Sequence, residues 1–155
     1  MKFPPDINIK YLSEFCVCYY KDAVHSQDAP LHYHISVPLK DNNYLLFVLL
    51  TSQFGNKINY YESVNKKALN SIISLDIYRK HFSFLYKDIT VIDCNQPIFD
   101  HKNEFIKNKI IDWDSNFKIE QRNIPFDLKK SIISALKASP IVKPFIKNLI
   151  IDNLD

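Results

Sequence analysis

From Leu31 to Val37 the chain alternates strictly. Leu31, Tyr33, Ile35 and Val37 fall on one side of an extended segment, and His32, His34 and Ser36 on the other. A period of two predicts a β-strand. Pro38 ends it, and Lys40-Asp41-Asn42-Asn43 has the polar composition of a hairpin turn. The next run, Tyr44 to Leu50, is continuously apolar and breaks at Thr51-Ser52-Gln53-Phe54-Gly55-Asn56. Such a run suits a strand buried on both faces or a short core helix, and the neighbouring strand and turn favour strand.

The remaining pattern predicts further elements. Ile9 to Tyr20 reads as a short helix followed by a strand, and Lys21 to Pro30 as a polar loop. Residues 57–61 (KINYY) read as a short strand. Helical spacing runs from Glu62 to about Leu75 through Val64, Leu69, Ile72 and Ile73. Residues 89–93 (ITVID) read as a strand, Cys94-Asn95-Gln96-Pro97 as a turn, and 104–111 as a strand or short amphipathic element. Near the end, Asp127 can cap a helix whose stripe is Leu128, Ile132, Ile133 and Leu136, with Lys137 in its last turn and Pro140 as its stop. A second short helix is expected from Val142 to Ile151.

Composition narrows the classes. At 155 residues and 46% hydrophobic, the chain can build one core, and a single domain over 1–155 is the simplest account. Gly55 is its one glycine, which excludes a Rossmann fingerprint and a P-loop, since both need several. A net charge of +3, from 20 basic and 17 acidic residues, permits RNA or an acidic partner without demanding either. Cys16, Cys18 and Cys94 are odd in number and lack C-x-x-C spacing, so reduced thiols and a cytoplasmic location are expected. Neither a signal peptide nor a membrane span is read.

The candidate chemistry lies where the first two strands adjoin. His32 and His34 share a strand face, roughly 6.5–7 Å apart at two steps of about 3.3 Å. Imidazole has an unperturbed pKa of about 6.5 and suits both proton roles. Hydroxyls at Thr51 and Ser52 end the neighbouring strand. Acid–base groups beside short polar anchors are what cleavage of an RNA phosphodiester without metal requires. His-x-His is also a metal-ligand spacing, as in cupins, but residues 35–43 hold neither the glutamate nor the glycines of such sites. No metal and no cofactor are expected.

The order of these pieces resembles the MazF/PemK-like toxins. LHYHISV is similar to that family's first strand and FVLLTSQ to its second. DCNQPIFDHKNEFI is similar to the segment in which a turn precedes proline, an apolar residue and histidine, and SIISALKASPIVKPFIKNLI to the closing helix. The likeness covers roughly residues 30–150, in pieces. Two features differ. The family's arginine followed by proline is absent, with His32 or His34 in its neighbourhood, and residues 54–88 form an insertion.

The resemblance implies an α+β fold: a small SH3-like (PemK-like) antiparallel β-barrel over about 30–115, with an inserted helix, and C-terminal helices over about 126–151. It implies a metal-independent endoribonuclease toxin of a toxin–antitoxin system, with RNA as substrate, a separate antitoxin protein as partner, and a possible homodimer. Thr51 falls at the family's catalytic threonine. The expected catalytic set is His32, His34 and Thr51, one histidine as base and the other as acid or phosphate anchor. Ser52, Gln53, Tyr33, Lys57 and His101 are expected to contact substrate, with Lys40 a further phosphate-binding cation. The same residues also suit a catalytically inactive SH3-like barrel that binds a protein or nucleic acid, with histidines that merely face solvent. The nuclease reading requires two adjoining antiparallel strands to present imidazole and alcohol side chains to one shared pocket.

Overall fold

The computed structural model describes residues 10–20, 32–52, 54–82, 91–105 and 117–154. Its centre is a six-stranded antiparallel sheet. The strands are β1 (Cys16–Tyr20), β2 (His32–Ser36), β3 (Tyr44–Thr51), β4 (Ile72–Ser74), β5 (Val91–His101) and β6 (Phe117–Gln121). Their order across the sheet is β4-β5-β3-β2-β1-β6. The alternation at 31–37 and the apolar run at 44–50 thus form the expected β2–β3 hairpin, closed by an Asx turn in which the Asn43 amide donates to Asp41 Oδ1 at 2.9 Å. Leu31, the start of the alternating run, lies outside the described residues, as do the loop at 21–30 and most of the segment at 104–111.

The protein is α+β, as expected, but the described sheet is open and not closed into a barrel. Its outer strands, β4 and β6, do not pair with each other among the described residues. Both faces are covered instead. On one, Val17, Ile35, Leu46, Val48, Leu50 and Ile92 meet Leu128, Ile132, Ile133 and Leu136. On the other, Cys16, Cys18, Leu45 and Phe47 meet Leu12, Phe105 and Phe117. A sheet with apolar residues on both faces needs cover on both, which a small barrel's solvent-facing outer wall would not provide.

The helices are α1 (Phe54–Val64), α2 (Phe126–Ala138) and α3 (Pro144–Leu149). The stripe foreseen for α2 is buried, although Pro125 is the cap and Asp127 lies in the first turn. Residues 57–61 are helical, not a strand. Their aromatic and β-branched composition favours a strand locally, but the helix brings Lys57 and Tyr61, four apart, onto one face toward the sheet. The helix expected from Glu62 to Leu75 breaks up. Beyond Val64 come a 3-10 helix, Lys66–Ser71, and the edge strand β4. The strand expected at 89–93 continues through the expected turn at Cys94–Pro97. No turn forms there; the strand is continuous and the ladder has a register shift instead, β3 advancing from Phe47 to Leu49 while β5 runs from Ile98 to Asp93. Pro97, with no N–H to give, sits inside the shift, where β4 no longer pairs.

Candidate functional site

The ladder decides which candidate side chains meet. In β2 and β3 the pairs are His34–Leu49, Ile35–Val48 and Ser36–Phe47. The β2–β3 ladder ends at His34–Leu49; by alternation His32 and Thr51, each two residues further out, fall on the face of His34 and Leu49. Thr51 also pairs with Val91, and Leu49 with Asp93. His32 is exposed, Thr51 half-buried, and Ser52 exposed in the bend that leaves the strand. His32 and Thr51 thus lie toward one end of one sheet face, and Ser52 follows Thr51 in the bend. Gln53 lies outside the described residues.

His34 shares that face but not that exposure. It is 3% exposed, lying opposite Cys18 and Leu49 and edge-on to Phe47 with ring centroids 6.3 Å apart. Burial, reinforced by the neighbouring His32, lowers its pKa from 6.5 to about 3. Its Nδ1 lies 3.1 Å from the His32 carbonyl oxygen. A carbonyl only accepts, so a neutral ring must carry its proton on Nδ1. The expectation of two accessible imidazoles in one pocket therefore becomes one accessible imidazole, His32, whose backbone the other holds. Ser36, the third polar residue of the alternation, is also buried. Its hydroxyl donates to the Glu14 carbonyl at 2.5 Å and accepts from the Cys16 amide at 3.1 Å.

Two further candidates lie elsewhere. Tyr33 is on the opposite sheet face, against the α2-side core and Tyr19, centroids 4.4 Å apart. His101 is opposite Tyr44, at the other end of β3 from Thr51 and about 23 Å away along seven strand steps. There its Nδ1 accepts the Asn103 amide at 3.3 Å and its ring stands edge-on to Tyr44. Lys40 is at that far end too, paired with Asp152 at 3.0 Å. Both arginines are engaged elsewhere: Arg79 with Asp76, and Arg122 over the Tyr11 ring.

Lys57 pairs with Asp93 of β5, which lies opposite Leu49, two residues from Thr51. From the first part of α1 its Nζ lies 3.1 Å from Asp93 Oδ2. The Tyr61 hydroxyl donates to the same oxygen at 2.7 Å, and that partner together with burial pushes the phenol's pKa well above its ordinary range. Asp93 Oδ1 accepts from the Asn95 amide at 3.0 Å and from its Nδ2 at 3.2 Å. The Ser139 hydroxyl in turn donates to Asn95 Oδ1 at 2.7 Å. Sequence reasoning missed this network. Its one visible signal is an aspartate within the apolar run TVIDC. The Lys57–Tyr61 pair shows only once 54–64 is known to be helical.

Among the described residues, no three His, Cys, Asp or Glu side chains are grouped as a metal site would need. The three cysteines are free and buried. An open groove of about 360 Å³ lies between α2 and the C-terminal tail, lined by Phe126, Lys130, Ile133 and Leu154 among others, with none of the candidate residues. No helix among the described residues is long and apolar enough to cross a membrane. Comparison with family models, with curated proteins and with solved structures finds no match.

Proposed function

We propose that this chain is a metal-independent endoribonuclease toxin of the MazF/PemK-like type, acting at the end of the sheet that carries His32 and Thr51. What supports the reading is the β2–β3 register, whose alternation puts the exposed His32 and the half-buried Thr51 on one face just beyond the His34–Leu49 pair, with Ser52 next in the chain. In the proposed reaction the RNA 2′-hydroxyl attacks the adjacent phosphorus. His32 takes the hydroxyl proton, the bond to the 5′-oxygen breaks, and that oxygen leaves with a proton from solvent water. The products are a 2′,3′-cyclic phosphate and a 5′-hydroxyl end. Thr51 and Ser52 donate to the phosphoryl oxygens, where charge grows. The proposal also includes an antitoxin protein laid across this end of the sheet and a cytoplasmic setting; a homodimer belongs to the same reading.

One observation favours a second reading, a catalytically silent module that binds a protein or nucleic acid. Burial of His34 leaves a single accessible imidazole where two would share the proton work. One experiment separates the two. Purified protein is mixed with single-stranded RNA in EDTA, alongside His32→Ala, Thr51→Ala and His34→Phe. The nuclease reading expects cyclic-phosphate ends, and a loss of about 10²–10⁴-fold in His32→Ala. Folded wild-type protein that leaves RNA intact at every concentration, or cleavage indifferent to His32, overturns it.

A further inference from the structure

The Asp93 cluster is the most elaborate polar arrangement described in the molecule, and the reaction above does not use it. Asp93 is 2% exposed, with both carboxylate oxygens engaged. Oδ2 takes Tyr61 and Lys57, and Oδ1 takes the backbone and side-chain nitrogens of Asn95. Asn95 is itself tied to Ser139 and, through Nδ2 at 2.9 Å, to the Ala68 carbonyl. Held at both oxygens, the carboxylate cannot rotate.

Tyr61 and Asn95 supply three donors to this carboxylate, and Lys57 completes the set while neutralising its charge. The Lys57 side chain is 24% exposed and that of Asp93 2%, so the pair joins a partly accessible side chain to a buried anion. Asp93 lies opposite Leu49, and Thr51 is two residues along β3 on the same face. The diagonal between such positions is roughly 7–8 Å. The aspartate that holds Lys57 is therefore a diagonal neighbour of Thr51 in the sheet.

We propose that Asp93 is a positioning residue. It holds the Lys57 ammonium where that charge grips a phosphate of the RNA strand, and this rests on the reading of the His32–Thr51 end as an RNA site. Asp93 touches no substrate; it acts through Lys57.

Two readouts test it on the full chain. Binding of an oligonucleotide carrying 2′-deoxy substitution at the scissile position is followed against salt, and cleavage of the matching RNA is followed for kcat and KM. Lys57→Met is expected to reduce the slope of log K against log salt by about 0.7, one single-strand phosphate contact. Asp93→Asn leaves the ammonium charged but loosely held, so the slope stays and kcat falls about tenfold. The double variant is no slower than Lys57→Met alone, because the two act as one unit. If Asp93→Asn does not fold, Tyr61→Phe loosens the same carboxylate. It is expected to lower kcat severalfold with Lys57 present and not in the Lys57→Met background. An unchanged salt slope in Lys57→Met, or losses that multiply in the double variant, overturns the assignment while wild-type cleavage stands. A wild type that neither binds nor cleaves removes the underlying reading and this inference with it.

Discussion

Lowering the pH from 7.5 to 5 probes the burial of His34. In the folded protein its pKa is lowered from 6.5 to about 3, first by desolvation and then by His32, while the hydrogen bond to the His32 carbonyl works the other way. In the unfolded chain the ring takes up its proton near the ordinary value of about 6.5. Between those values the unfolded state binds more protons, so stability falls as the pH drops. The contribution of neutral His34 is whole above about pH 6.5 and is lost progressively below it. At pH 5 the loss is about 2 kcal/mol, taking 1.36 kcal/mol per unit over about 1.5 units. For a chain of this size that is about 4–8 °C in Tm. Urea melts at pH 7.5 and 5 on wild type and His34→Phe measure it. The variant keeps an aromatic ring against Phe47 and removes the titrating group. Wild type should lose about 2 kcal/mol more than the variant between the two pH values. Equal pH dependence in the two proteins would refute the sealed, neutral ring. Asp152 does not interfere. Its pKa is lowered from 3.8 to about 2 by hydrogen bonds to Lys137 and Lys40, so its stabilisation is present above the ordinary carboxylate value and lost only as the pH falls below it.

Tyr61→Phe removes the phenol donor from a buried carboxylate, and a cost of about 1–3 kcal/mol is expected in the urea midpoint. A midpoint equal to wild type would show that Asp93 does not depend on it. Leu136→Ala empties a fully buried position of the α2 stripe and should cost about 2–5 kcal/mol. Ser134→Ala, exposed on the same helix, should stay within about 0.5 kcal/mol. Similar losses in both would contradict the facing of α2. All three cysteines are buried. Burial pushes Cys16 up to about 11, and Cys18 and Cys94 rise for the same reason, so none should react quickly with a thiol reagent at pH 8 until denaturant is added. A fast-reacting equivalent in folded protein would place one of these thiols at the surface.

The elements written in local periodicity were legible in the sequence: the alternating β2, the apolar β3, the turn between them and the stripe of α2. These repeats reflect which face of a single element is apolar, and neighbouring residues alone carry that information. What covered each face was not legible. His32, His34 and Ser36 look alike as the polar side of one strand. Yet His34 and Ser36 are sealed because β2 lies inside the sheet, between β1 and β3, under Leu12, Phe105 and Phe117, while His32 sits at the strand's open end. The helical state of 57–61 was likewise not legible locally; in the fold Lys57 and Tyr61 share Asp93, more than thirty positions away, as a partner. Strand order, register and the cover over each face depend on contacts between distant segments. No short window of sequence contains those, so the tertiary structure alone divided two identical imidazoles into one at the surface and one in the core.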